Sequence, residues 1–162
     1  MTYDVERLRA RMPALESGVA FFNGPGGTQT PDVIALAIAG AMTAGMSNRS
    51  RVTQAERNAD DVTLAARQAA ADLVNADLRG IVFGRSATSL TFEVARTLAQ
   101  GWGPGDEVIV TRLDHDANIR PWVTAAERAG ATVRWAAFDP ATAALEPQSV
   151  TDLINERTRL VA

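Results

Sequence analysis

The fold of this chain is decided by the stretch Glu107-Val108-Ile109-Val110-Thr111-Arg112. Its three central residues are apolar and β-branched, and a turn-forming run of glycine, proline and aspartate precedes it at residues 103–106. A short strand with apolar residues on both faces is typical of a parallel sheet that helices cover on both sides. The stretch therefore predicts a buried parallel strand over residues 107–112.

Other strand-like runs lie on either side of this stretch and alternate with helical segments. We predict strands at residues 81–83, 132–138 and 159–162, and helices at about 86–101, 119–130 and 147–155. Such alternation implies a parallel sheet with right-handed crossovers, so the predicted fold class is α/β. The last strand-like run continues to residue 162 with no turn after it, so we expect an incomplete sheet, with the sequence cut inside an element.

The first part of the chain carries no signal for a parallel strand. Helices are predicted from Pro31, with Thr30 as the N-cap, to about Gly45, and again over residues 60–75. We therefore expect two parts, which are a segment of helix and loop over residues 1–55 and a partial sheet-containing domain over residues 56–162.

The composition excludes several classes of protein. The 162 residues carry a net charge of −3 with a pI near 5.2, which argues against a general nucleic-acid surface. Cysteine is absent, so there is no disulfide framework and no thiolate nucleophile. No apolar run is long enough to span a membrane, and the charged residues 1–11 lack an apolar signal core, so we expect a cytoplasmic protein. The 16 Lys and Arg residues are all arginines, so the chain has no lysine.

The segment Gly84-Arg85-Ser86-Ala87-Thr88-Ser89 lies between a predicted strand and a predicted helix. Free N–H groups and the helix dipole at such a point form an anion site, to which the hydroxyls of Thr88 and Ser89 can add donors. Helix capping by Ser86 or Thr88 explains the same residues without a ligand. The segment is neither a Gly-x-x-x-x-Gly-Lys phosphate loop, because lysine is absent, nor a dinucleotide-binding fingerprint.

The single histidine, His115, follows the central predicted strand. In open parallel sheets, ligands bind beyond the carboxyl ends of the strands, where an imidazole can stack on an aromatic ring or transfer a proton. A metal site with Asp114 and Asp116 is disfavoured, because adjacent side chains diverge and the sequence has no second cluster of ligands. A purely structural histidine stays open as an alternative. Asn118 is expected to cap the next helix, with Pro121 in its first turn.

Two loops before residue 55 are further candidates. The glycine-rich residues 24–28 form a tight loop whose bare backbone can line a small pocket, although a simple turn explains the same composition. The basic residues 48–51 can meet a carboxylate or a phosphate of a partner, although such runs are more often solvated surface. Neither loop identifies a ligand by itself.

Five segments of the chain form an ordered set of motifs. They are Phe21-Phe22-Asn23-Gly24-Pro25-Gly26-Gly27-Thr28, Ile81-Val82-Phe83-Gly84-Arg85-Ser86-Ala87-Thr88, Trp102-Gly103-Pro104-Gly105-Asp106-Glu107-Val108-Ile109-Val110, Asp114-His115-Asp116-Ala117-Asn118 with Pro121-Trp122, and Glu156-Arg157-Thr158-Arg159-Leu160-Val161-Ala162. Together they resemble the class V aminotransferase group of pyridoxal-phosphate enzymes, and most of all its cysteine desulfurase-like branch. The ordered set extends over nearly the whole chain.

This resemblance implies a fold type I enzyme whose large domain is a three-layer α/β sandwich, with pyridoxal 5'-phosphate as cofactor. Ala87 and Thr88 match the family's phosphate-binding turn, and His115 matches the catalytic histidine that stacks on the pyridoxal ring. Gly26 and Gly27 fall where the family's N-terminal loop lines the substrate pocket. Residues 48–50 match, more weakly, a loop near the cofactor and the dimer partner. The resemblance also implies a homodimeric lyase or transferase with an amino-acid substrate and no metal, nucleic acid or membrane partner.

Several parts of the family pattern fall after residue 162. They are the aspartate that pairs with the pyridine nitrogen, the lysine that forms the Schiff base, the mobile cysteine loop of desulfurases and the small C-terminal domain. Asp116 stands where desulfurases usually have a second histidine or another residue, which favours the desulfurase-like branch. We therefore expect an N-terminal fragment of an enzyme that acts on an amino acid, inactive alone because it lacks the lysine. The alternative is a truncated, non-catalytic domain that serves as a binding module.

Overall fold

The structure, a computed structural model, describes residues 3–162. The chain forms two compact units, Met1–Ile81 and Val82–Ala162, and each is described by itself. The division into a segment over residues 1–55 and a partial domain over residues 56–162 stays a prediction.

The first unit is built of helices and loops. Helix α1 spans Val5–Arg9, α2 spans Asp32–Thr43 and α3 spans Gln54–Val74, with 3-10 helices at Pro13–Ser17 and Leu78–Gly80. Residues 3–81 contain no strand, which agrees with the prediction for the part up to residue 55. No helix within residues 3–162 is both long and apolar enough to cross a bilayer.

Helix α3 begins at residue 54 rather than at residue 60, because a capping box fixes its start. The Thr53 hydroxyl accepts a hydrogen bond from the Glu56 N–H at 3.3 Å, and the Glu56 carboxylate accepts one from the Thr53 N–H at 2.8 Å. The helix ends at Asn75, which adopts the left-handed conformation with φ 52°.

Helix α2 does not use Thr30 as its N-cap, which corrects the prediction. Pro31 occupies the cap position, and no side chain caps the helix there. The Asp32 N–H instead donates to the backbone carbonyl of Arg11 at 2.8 Å, and Arg11 also pairs with the Asp32 carboxylate at 2.9 Å. The helix start is therefore supported from elsewhere in the first unit rather than by a neighbouring threonine.

The second unit contains a three-stranded parallel sheet. Strand β1 spans Glu107–Thr111, β2 spans Thr132–Ala136 and β3 spans Thr158–Val161, in the spatial order β2-β1-β3. Val108 on β1 lies opposite Val133 on β2 and Leu160 on β3. Every residue of β1 is buried, as expected for the central strand of a parallel sheet. The predicted parallel arrangement of these strands is confirmed.

Three α-helices belong to this unit, α4 at Ala87–Leu98, α5 at Arg120–Ala129 and α6 at Pro147–Thr151, with 3-10 helices at Ala99–Gly101 and Asp116–Asn118. Side chains alternate across a strand, so Val108 and Val110 share one face of β1. Ala95 of α4 and Ala126 of α5 are fully buried in the same core cluster as these two valines. Gly130 ends α5 with φ 75°, a left-handed conformation that glycine adopts without strain.

Residues 81–83 do not form the strand predicted for them. Within residues 3–162, β1 has β2 on one edge and β3 on the other, and nothing pairs with residues 81–83. An apolar run signals a preference for burial, but a strand forms only where a second backbone supplies hydrogen bonds. Val82 and Phe83 are accordingly 66% and 53% exposed.

Candidate functional site

The first turn of α4 presents unpaired backbone donors. Ser86 caps the helix, because its hydroxyl accepts from the Ser89 N–H at 3.1 Å while the Ser89 hydroxyl accepts from the Ser86 N–H at 3.2 Å. The N–H groups of Ala87 and Thr88 have no intrahelical acceptor at these first two positions, and both residues are exposed. Capping and anion binding are therefore compatible here, because the cap satisfies Ser89 and leaves the Ala87 and Thr88 donors free.

The chain enters this helix through a tight approach at Gly84. A Cβ atom at this position would lie 2.6 Å from two side-chain carbons of Leu90, so any larger residue would displace Leu90. The glycine thus lets the backbone pass close to the first turn of α4, where the free donors lie.

His115 lies in the loop that follows β1. Its Nδ1 atom accepts a hydrogen bond from the Ala117 N–H at 3.1 Å, and its backbone N–H donates to Asp114 Oδ1 at 2.6 Å. The side chain is exposed rather than packed in the core. The Nδ1 bond caps the 3-10 helix Asp116–Asn118, so the position of His115 is compatible with a structural role as well as with ligand binding.

Asn118 does not cap α5, which corrects the prediction. Ile119 occupies the cap position without a side-chain bond, whereas Pro121 does lie in the first turn as predicted. Asn118 instead donates from Nδ2 to Asp114 Oδ2 at 2.7 Å and accepts at Oδ1 from Trp122 Nε1 at 3.2 Å. Its role depends on the fold of the loop and not on its distance from the helix start.

The start of α4 and the His115 loop lie at the same end of the sheet. The last turn of α4 leads through residues 99–106 to Glu107 at the amino end of β1. A helix of 12 residues is about 18 Å long, so its first turn lies toward the carboxyl end of the strand. α4 also contacts the 3-10 helix Asp116–Asn118 next to His115. This end is where open parallel sheets bind their ligands.

The two acidic neighbours of His115 have other partners. Asp116 pairs with Arg120 at 3.2 Å, and both oxygens of Asp114 accept hydrogen bonds within the loop. Among residues 3–162, no group of three or more His, Asp and Glu side chains is placed to hold a metal ion.

Gly26 and Gly27 lie in a turn of the first unit and differ in their surroundings. A Cβ at Gly26 would lie 2.5 Å from Asn23 Nδ2, whereas a Cβ at Gly27 would meet nothing within 4 Å. Gly27, with Phe21 and Phe22, lines a cleft of about 430 Å³ in this unit, and Gly26 does not. Gly26 thus allows the close packing of the turn against Asn23, whereas Gly27 borders open space.

The basic loop over residues 48–51 is held by acidic residues of α3. Arg49 donates two hydrogen bonds to Asp60 Oδ1 at 2.9 and 2.7 Å, and Arg51 reaches Asp60 at 3.1 Å and Asp61 at 3.0 Å. The hydrogen bond from Arg49 and the charges of both arginines hold the pKa of Asp60 below its usual value. The carboxylates that this loop meets therefore lie in the first unit itself.

Thr111 was not predicted as a site residue. It ends β1 on the side that leads to His115, and its buried hydroxyl has no hydrogen-bond partner within residues 3–162. A threonine at the end of an apolar strand is ordinary strand composition, so the sequence signal for this orphaned hydroxyl is weak.

Known proteins that resemble this chain agree with the fold described above. A sequence model of the aminotransferase class-V family matches residues 20–162. The chain is 41% identical over its whole length to an uncharacterized protein of Mycobacterium tuberculosis, of which it covers 41%. It is 32% identical to a cysteine desulfurase of Klebsiella pneumoniae, of which it covers 42%. The crystal structure of the Escherichia coli cysteine desulfurase CsdA superimposes on 99% of the chain with a TM-score of 0.82 and 27% identity.

The chain spans about two fifths of the length of these relatives, with 41% of the CsdA chain matched. The predicted fold class, a partial α/β domain of fold type I, is confirmed by the parallel sheet and by this superposition. Pyridoxal phosphate is the cofactor of the complete enzymes of this family. Because the family model covers residues 20–162, the chain belongs to the class-V aminotransferase family, with cysteine desulfurases among its relatives.

Proposed function

We propose that this chain forms the phosphate- and ring-binding part of a pyridoxal-phosphate enzyme of the cysteine desulfurase-like kind, which acts on an amino acid. One observation carries the proposal. The free N–H groups of Ala87 and Thr88 lie at the same end of the sheet as the loop of His115. A phosphate site and an exposed imidazole thus occur together at the edge where parallel sheets bind ligands.

The residues present fit the phosphate end of the cofactor. Two free backbone donors and the helix dipole at this N-terminus suit a dianionic phosphate, and threonine at position 88 carries a hydroxyl that can donate as well. Ser86 orders this turn without using either donor, because its cap bond goes to Ser89. Ala87 and Thr88 are therefore the proposed cofactor-binding residues of the turn.

The other proposed roles follow from the family match. His115 would hold the cofactor ring by stacking on it, and its exposed imidazole would be suited to hold or move a proton. Gly26 and Gly27 shape the loop of the substrate pocket, with Gly27 bordering the open cleft. When bound, pyridoxal phosphate supplies the electron sink for carbanion chemistry next to the amino-acid nitrogen.

The chain by itself is proposed to be inactive. Its 162 residues contain no lysine, so no side-chain amine is present to anchor the cofactor covalently. Arginine cannot replace lysine in this role, because its guanidinium stays protonated and is not nucleophilic.

The proposed assembly of the complete protein is a homodimer in the cytoplasm. The support for association is the apolar surface of α2, where Leu36 is 68% and Met42 is 81% exposed. Exposed apolar side chains in such density are typical of surfaces that pack against another polypeptide.

The second candidate is a non-catalytic binding module, which requires no lysine. This candidate shares the fold but needs no cofactor site. Affinity for pyridoxal phosphate at the α4 turn distinguishes the two.

The test is a titration of the purified chain with pyridoxal phosphate, beside Ala87→Pro. Proline suits the first helical position, and Ser86 is already extended, so the change removes one N–H with little effect on the helix. Affinity is expected to fall roughly ten- to hundredfold, because a hydrogen bond to a charged group contributes about 1.5–3 kcal/mol. Gln54→Pro, the same change at the first position of α3, is the matched control and should leave affinity unchanged.

Borohydride treatment of the mixture followed by mass spectrometry tests the proposed inactivity. We expect no stoichiometric adduct within residues 81–118 and no turnover of cysteine. Pyridoxal without its phosphate should bind far more weakly, and inorganic phosphate should compete. Binding that Ala87→Pro leaves unchanged would contradict the phosphate site, and no binding at all would support the non-catalytic module.

A further inference from the structure

His115 has one ring nitrogen engaged and the other free. Nδ1 accepts the Ala117 N–H at 3.1 Å, and Nε2 has no partner within residues 3–162. A nitrogen that accepts an N–H bond must carry a lone pair, so the proton of the neutral ring resides on Nε2. The Ala117 bond thus sets both the orientation of the ring and the nitrogen that can donate.

Asp114 holds the loop in the conformation that this bond requires. Its Oδ1 accepts from the His115 N–H at 2.6 Å, and its Oδ2 accepts from Asn118 Nδ2 at 2.7 Å. The Asn118 N–H donates in turn to the His115 carbonyl at 2.8 Å. The backbone is therefore tied on both sides of the imidazole.

Asn118 connects this loop to the core of the second unit. Its Oδ1 accepts from Trp122 Nε1 at 3.2 Å, and Trp122 is only 8% exposed within the core cluster that contains Val110. The Asn118 amide thus uses its donor end on Asp114 and its acceptor end on Trp122. A carboxylate cannot perform both tasks, because an ionised carboxylate only accepts.

We propose that Asn118 is a positioning residue for His115, and that the chain Trp122–Asn118–Asp114 keeps Nδ1 on the Ala117 N–H and leaves Nε2–H as the free donor. This inference rests on the function proposed above for His115. Asp116 lies in the same loop but outside this chain of bonds, because it pairs with Arg120 in an exposed ion pair.

The single histidine makes the test direct, because its ring nitrogens give the chain's only imidazole signals. Nitrogen NMR of the full 162-residue chain would measure the scalar coupling across the bond from Ala117 N to His115 Nδ1. The tautomer follows from the couplings of both ring nitrogens to the ring protons. At a pH of about 8.5, the wild type should show this coupling and an Nε2–H tautomer.

Asn118→Asp interrupts the series of hydrogen bonds Trp122–Asn118–Asp114 at one bond. It removes the donor to Asp114 and sets two carboxylates against each other, but it keeps the acceptor for Trp122. The Ala117 coupling should be lost and the two tautomers should mix. The double variant Asp114→Asn/Asn118→Asp has the net charge of the wild type. It restores the hydrogen bond between positions 114 and 118 with donor and acceptor exchanged, so the coupling should return. Asp116→Asn is the matched control and should keep it.

A coupling that survives Asn118→Asp, or that fails to return in the double variant, overturns the proposal. If Asn118→Asp does not fold, Trp122→Phe provides a second break, because it removes the Nε1–H donor together with one ring of the indole and keeps an aromatic side chain in the core. The coupling should weaken in that variant, and an unchanged coupling would also overturn the proposal.

These spectra require no cofactor, so they separate the two levels of inference. Expected spectra together with a failed pyridoxal-phosphate titration would overturn the proposed function of the site. Normal cofactor binding with unchanged spectra in the variants would overturn only the role of Asn118.

Discussion

The two units of this chain differ in what holds their residues in place. Among residues 3–162, every buried apolar residue except Ala71 belongs to the second unit, whose central strand β1 is buried throughout. The helices of the first unit begin at polar contacts, such as the capping box of Thr53, and its basic loop is held by Asp60. The second unit is thus ordered by a core, and the described part of the first by local hydrogen bonds and ion pairs.

This difference separates the candidate site residues. Ala87, Thr88 and His115 belong to the unit with the buried sheet, whereas Gly26 and Gly27 belong to the unit without one. Cofactor-binding geometry requires groups held within fractions of an ångström, which a packed core provides. A substrate loop tolerates more movement, because binding can order it. Mutations should therefore act differently in the two units.

The largest expected effect is on the core of the second unit. Val110→Ala should lower the free energy of unfolding by about 2 kcal/mol, because it removes two buried methyl groups and leaves a cavity. Val52→Ala, the same change at a side chain that is 81% exposed in the first unit, should change it by less than about 0.5 kcal/mol. Urea unfolding followed by tryptophan fluorescence measures the effect of Val110→Ala, because all 3 tryptophans lie in the second unit. Equal effects of the two changes would break the comparison.

A smaller effect is expected at the start of α3. Thr53→Ala should destabilise the helical structure of the first unit by about 1 kcal/mol, because the Glu56 N–H loses its acceptor. Thr53→Ser keeps the hydroxyl and is the control. The measurement is urea unfolding followed by far-ultraviolet circular dichroism. An equal loss in the serine variant would show that the hydroxyl bond is not the source of the effect.

The sequence predicted those elements whose signals are local. The apolar run of β1 and the end of α5 at Gly130 act within a few residues and appear where expected, and of the two possible caps of α4, Ser86 and Thr88, the structure uses Ser86. The prediction of a strand at residues 81–83 is wrong, because an apolar pattern does not reveal whether a partner strand is present. The prediction of Thr30 as the N-cap is wrong, because a contact with Arg11, which is distant in the sequence, supports the start of α2.

The sequence predicted the residues of the candidate site but not the hydrogen bonds that connect them. Ala87, Thr88 and His115 were singled out by position and resemblance, but the bond from Asn118 to Trp122 depends on how the loop folds over α5. Glu107 shows the same limit. Its buried carboxylate pairs with Arg157 at 2.7 Å and Arg134 at 3.4 Å, which only the register of the strands brings together. Sequence patterns report burial and local caps, whereas long-range polar partners require the fold.

The smallest expected effect is a pH dependence in the first unit. The hydrogen bond from Arg49 holds the pKa of Asp60 below its usual value of 3.8, so the folded state favours the ionised carboxylate. A depressed pKa contributes stability that is present above the usual value and is lost as the pH falls through the folded value. The difference in urea midpoint between the wild type and Asp60→Asn, followed by circular dichroism, should thus be positive at neutral pH and shrink toward zero in acid. Asp61→Asn, which loses only the contact with Arg51, should show a smaller difference at neutral pH. A difference for Asp60→Asn that stays constant down to acid pH would mean that packing, and not the charge on Asp60, holds the basic loop.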